Sequence, residues 1–112
     1  MNLGYFLLIL NFIVPSSQAV DHSKMTPWEV KLAKLKQGLP NDLSTLIDRI
    51  DTCHHFGGED SYDAARKKEI EEQVRKFECK KLGRDESKLK QKYIKKVDLL
   101  QRLDEAKKLI GE

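Results

Sequence analysis

The sequence predicts an all-α protein, a small bundle of three or four helices stapled by one disulfide. Three observations carry that prediction. Apolar residues recur at i, i+3, i+4 and i+7 in successive stretches. No stretch combines alternation of period two with β-branched enrichment. The chain has 2 cysteines, Cys53 and Cys79, which fall in different helical patterns. At 112 residues there is room for one small domain.

Residues 1–19 differ from everything that follows. They carry no charged side chain and hold an apolar run, then Pro15, Ser17 and Ala19. The run is about 12 residues against the roughly 20 that span a bilayer, and the small residues suit a signal peptidase. The expectation is a signal peptide cut after Ala19, with no stable membrane insertion afterwards. Residues 20–112 then form a single helical domain in the periplasm or outside the cell. In that oxidising setting Cys53 and Cys79 are expected to pair, and closing a loop of about 26 residues stabilises the fold by roughly 3–4 kcal/mol. All 21 basic and 18 acidic residues lie in this part, so its net charge is +3. The signs alternate along the chain, as on solvated helix faces, and no basic stripe for nucleic acid is expected.

The helices follow in order. Thr26, Pro27 and Glu29 form a capping box at a first helix that carries Val30, Leu32, Ala33 and Leu35 and ends at Gly38 and Pro40. A second helix starts near Asn41 or Asp42. Its stripe is Leu43, Leu46, Ile47, Ile50 and Cys53, and Gly57-Gly58 stops it. A third is expected from about residue 61 to 82, with Tyr62, Arg66, Ile70, Val74 and Phe77 on its main face. Cys79 lies about 200° from Phe77 on an undistorted helix, so either the helix distorts there or another element packs behind it. Gly83 reads as a C-cap and Asp85 as the next N-cap. A fourth helix is expected over residues 86–110, with Leu89, Tyr93, Val97, Leu100, Leu103 and Ile110 on one face and Ile94 and Leu99 beside it.

Chemistry-bearing side chains gather where the second helix turns into the third. His54 and His55 are adjacent, hence about 100° apart on a helix, and no zinc-like spacing completes them; neither a metal nor a cofactor is expected. A catalytic cysteine must stay reduced beside a base, and a disulfide forbids that, so no enzyme is expected. The segment reads instead as a corner. Gly57 and Gly58 reverse the chain through glycine's freedom at positive φ. Asp60 or Ser61 caps the third helix, and Arg66 pairs with Asp63 or Glu59. Its exposed face makes His55, Glu59, Asp60, Asp63 and Arg66 the candidate binding residues. Trp28, at the start of the first helix, is expected to pack in the core or at its edge rather than to serve as a ligand platform.

Residues 53–70 resemble a block found in small uncharacterised exported bacterial proteins. The block reads Cys-x-His-aromatic-x-Gly-Glu-x-x-Tyr-Asp-x-x-Arg, followed by a helix with a second cysteine. The matching positions are Cys53, His55, Phe56, Gly58, Glu59, Tyr62, Asp63, Arg66 and Cys79. Residues 79–97 are similar to the Cys…Asp-x-x-Leu-x-x-x-Tyr pattern of LprI-type lysozyme inhibitors. The chain lacks that family's other cysteines, so this resemblance implies a helical, exported, disulfide-bonded shape rather than an activity. The reading is an exported non-enzymatic binding module, such as an inhibitor, an immunity protein or an envelope accessory protein, whose partner is another envelope or secreted protein. The alternative is a periplasmic metal- or ligand-binding stress protein that uses residues 54–63.

Overall fold

A computed structural model describes residues 24–111, which fold into five α-helices: α1 (Pro27–Lys36), α2 (Asn41–Gly57), α3 (Ala64–Lys76), α4 (Leu82–Lys92) and α5 (Val97–Ile110), with a 3-10 turn at Cys79–Lys81. The expected signal peptide and its cut after Ala19 lie outside the described residues. The protein is an all-α bundle carrying a Cys53–Cys79 disulfide, whose Cα atoms are 5.6 Å apart.

α1 begins as its capping residues dictate. The Glu29 amide donates to Thr26 Oγ1 at 3.1 Å, and the Thr26 amide donates to Glu29 Oε2 at 2.9 Å, so two otherwise orphaned donors are satisfied. Past the helix, Gly38 adopts φ +79, where a side chain would be strained. α2 is the central element. Leu43, Leu46, Ile47 and Ile50 are its fully buried stripe, and they meet Leu32 of α1 and Leu103, Ala106 and Ile110 of α5. α4 lies alongside α2, with Leu82, Leu89 and Tyr93 packed on the margin of this core.

Two expected elements differ. The long fourth helix is two helices, α4 and α5, separated by a turn over residues 93–96 in which the Lys96 amide donates to the Tyr93 carbonyl at 2.8 Å. Straight, residues 86–110 would span about 37 Å against about 26 Å for α2. The break keeps both halves on α2, and it brings the Tyr93 hydroxyl and Lys92 Nζ to the Asp42 carboxylate at 2.8 and 2.6 Å. It also leaves Ile94 and Val97 exposed, whereas Val97 was expected on the buried face. Gly83 and Asp85 are therefore not caps. Both lie in the first turn of α4, where Asp85 accepts from Arg49 at 3.0 Å.

The third helix is shorter than expected at both ends. α3 opens at Ala64 and closes at Lys76, so Tyr62 lies in the loop before it, 80% exposed, and not on an apolar face. Distortion near Cys79 takes the form of a break. Glu78 stands in the left-handed region at φ 50, ψ 47, and the 3-10 turn follows it. That kink swings Cys79 off the α3 spiral and onto Cys53. α3 itself contributes no fully buried side chain. It is held at its ends rather than by burial.

Candidate functional site

The corner between α2 and α3 is built from α2's last turns, the loop over residues 58–63 and the first turns of α3. Asp63 is the N-cap of α3, its carboxylate accepting from the Arg66 amide at 2.7 Å. The sequence expected that role of Asp60 or Ser61, both of which are exposed and upstream of it. Gly58 closes α2 at φ −94, an ordinary conformation, and a Cβ there would meet the His54 carbonyl oxygen at 3.5 Å, a normal contact. Neither Gly57 nor Gly58 uses a positive φ, so the reversal does not depend on glycine.

Arg66 is the brace. Its guanidinium grips Glu59 fork to fork, Nε at 2.7 Å and Nη2 at 2.5 Å, and its Nη1 reaches Glu69 at 2.7 Å. The expected pair with Glu59 therefore forms. The expected pair with Asp63 does not, because that carboxylate faces the backbone. Hydrogen bonds from Arg66 to Glu59 and then to Glu69 raise the guanidinium pKa above its ordinary value. The same guanidinium stands 5.8 Å from the centre of the Phe56 ring. Arg66 and Glu59 are each 25% exposed, so Glu59 is a neutralised strut and not an open charge. Asp60 and Tyr62 project into solvent at the tip of the loop, and His55, Ser61 and Asp63 are exposed beside them.

The two histidines diverge. His54 turns toward the end of α5, where a Cβ on Gly111 would lie 3.2 Å from its Nε2. His55 points the other way, with Nε2 at 3.9 Å from Glu59 and its ring edge-on to Phe56 at 5.0 Å. Among the described residues, no three His, Cys, Asp or Glu side chains converge to hold a metal ion.

On the opposite side of the corner, Arg49 of α2 donates to the carbonyls of Phe77 and Glu78 at 2.9 and 3.1 Å and to Asp85 at 3.0 Å. It fixes the end of α3 beside the disulfide. Sequence reasoning did not find it, because its partners lie 28 to 36 residues away. Glu69 was also missed, although its spacing three residues after Arg66 was a usable signal. A groove of about 580 Å³ runs along α3, lined by Ile70, Val74, Lys80 and Lys81 among others.

No protein-family model matches the chain, and neither a curated protein nor a solved structure matches it.

Proposed function

We propose that the chain is an exported binding module that acts, without catalysis, on another envelope or secreted protein as an inhibitor, an immunity protein or an accessory factor. One observation carries this reading. The loop over residues 58–63 is tied at both ends, by the Arg66–Glu59 fork and by the Asp63 cap on the Arg66 amide, yet its tip offers Tyr62 at 80% exposure beside Asp60. A large aromatic on a rigid loop binds with little loss of conformational entropy, and such residues dominate interface energies. Export is supported by the disulfide and by residues 1–19; no described helix is long and apolar enough to cross a membrane.

The loop's exposed charges, Asp60 and Asp63, are acidic, so a basic patch on the partner would complement them. The test is capture from envelope extract by the oxidised protein, run in parallel with Tyr62→Ala and Asp60→Lys. Both variants leave the bracing residues intact and should fold normally. A specific partner retained by the wild type and lost by both supports the reading. Retention by both variants removes the loop as the recognition surface. N-terminal sequencing of the exported protein should begin at Val20; Met1 retained in a membrane fraction would remove the proposed location.

A further inference from the structure

The last two turns of α2 place Asp51 four residues before His55 and Thr52 four residues before Phe56, so these four side chains are neighbours on one face. Trp28, from the first turn of α1, closes the group. Its indole N–H donates to the Leu109 carbonyl at 2.7 Å, which ties the ring to the end of α5. Trp28, Asp51, Thr52, His55 and Phe56 line an open cavity of about 350 Å³. Three of its five walls are aromatic, and Asp51 is its one carboxylate.

Asp51 is the anomaly. It is half-buried and has no hydrogen-bond or ion-pair partner among the described residues, whereas Asp48, one turn earlier, holds Lys36 at 2.5 Å. Burial, and then repulsion from Asp48, push its carboxyl above the ordinary range, against the pull of His55, Lys36 and His54. A lone carboxylate among aromatic rings is costly unless a cation joins it. A divalent metal would demand several oxygen ligands, and this cavity offers a single carboxylate. An alkylammonium group suits it better, because ring faces attract its charge and its carbons pack against them. Phe56 already carries the Arg66 guanidinium near its ring.

We infer that the cavity between Trp28, His55, Phe56 and Asp51 binds an alkylammonium group, its carbons against the rings and its charge balanced by Asp51. The group is either the head of a small quaternary amine or the end of a lysine side chain. This inference does not rest on the loop's protein partner.

Trp28 is the chain's only tryptophan, so its fluorescence reports on the cavity directly. Choline chloride and, separately, N-acetyl-lysine methylamide are titrated into the oxidised protein, with sodium chloride at matched ionic strength as the control. A saturable change is expected with a Kd on the order of millimolar, as for one partly exposed cation site. Asp51→Asn should weaken it at least about tenfold while leaving the melting temperature unchanged or higher, since it removes an unbalanced carboxylate. Phe56→Leu, which keeps an apolar side chain there, should weaken it less. Tighter binding of choline identifies a small quaternary amine, and tighter binding of the lysine derivative identifies a protein side chain. No saturable response to either up to about 100 mM, or an equal response in Asp51→Asn, would overturn the inference.

Discussion

Glu78 is the described non-glycine residue held at positive φ. Its conformation is imposed from three sides: Arg49 holds the carbonyls of Phe77 and Glu78, the disulfide fixes Cys79, and α4 begins four residues later. For a residue with a Cβ, that conformation costs roughly 1–2 kcal/mol. Glu78→Gly should therefore raise stability by about 1 kcal/mol, or several degrees in melting temperature for a domain of this size. The exposed Glu78–Lys81 ion pair that is lost contributes little. Thermal unfolding checks this, and a lower melting temperature would show that the left-handed turn carries no strain. Arg66 is the complementary case, since its strength lies in shape as much as in charge. Arg66→Ala should lower the melting temperature. Arg66→Lys should recover only part of the loss, because an ammonium cannot grip Glu59 fork to fork while also reaching Glu69. If Lys restores full stability, the fork contributes no more than its charge.

Among the helices, α3 stands apart. α1, α2 and α5 share the buried core, while α3 touches α2 and the 3-10 turn without burying a side chain completely. Its position depends on the Asp63 cap, the Arg66 fork, the Arg49 hydrogen bonds and the disulfide. Opening the disulfide should then act locally. In Cys53→Ser, or under reductant, the segment over residues 58–81 should lose amide protection and become cleavable by protease, while α2 and α5 stay protected. Uniform loss of protection through α2 and α5 would instead make the disulfide a support of the whole core.

The charges that tie the molecule together converge on α4. Asp42 of α2 accepts from Lys92 and Tyr93 at the C-terminal end of α4, Asp85 accepts from Arg84 and from Arg49 of α2, and Glu86 accepts from Lys107 of α5 at 2.7 Å and from Lys90 at 2.8 Å. All three carboxyls lie below their ordinary pKa. For Asp42 the Lys92 hydrogen bond outweighs partial burial, with Tyr93 adding to it; for Asp85 the hydrogen bonds from Arg84 and then Arg49 decide. For Glu86 burial is the largest single effect and acts upward, but Lys107 and Lys90 together overcome it. A carboxyl with a depressed folded pKa stabilises above its unfolded value and loses that contribution as pH falls through the folded one. Stability should hold above about pH 4–5 and decline below it, with α4 losing amide protection first. Asp42→Asn should flatten that decline. An unchanged slope in Asp42→Asn would mean its partners do not drive acid unfolding. Asp51 has the opposite sign: with its folded pKa raised, it costs stability as pH rises through that window, so Asp51→Asn should gain stability near neutral pH.

The all-α class, the Thr26–Glu29 capping box, the buried stripe of α2 and the Cys53–Cys79 pairing were legible in the chain because each depends on local spacing, on capping chemistry or on there being two cysteines to pair. The break at residues 93–96 was not, since apolar periodicity runs through it and only the limited length of α2 forces the turn. For the same reason Tyr62 looked like part of a helical face: its place in the loop is set by Asp63 winning the cap and by Arg66 reaching back to Glu59. The acids of residues 59–63 were readable as a cluster, but not their division into a bound strut, an exposed charge and a cap. Arg49 with its distant carbonyls, and Asp51 facing Trp28 across two helices, exist as sites only after the chain has folded, because nothing in local spacing records which side chains from separate helices meet.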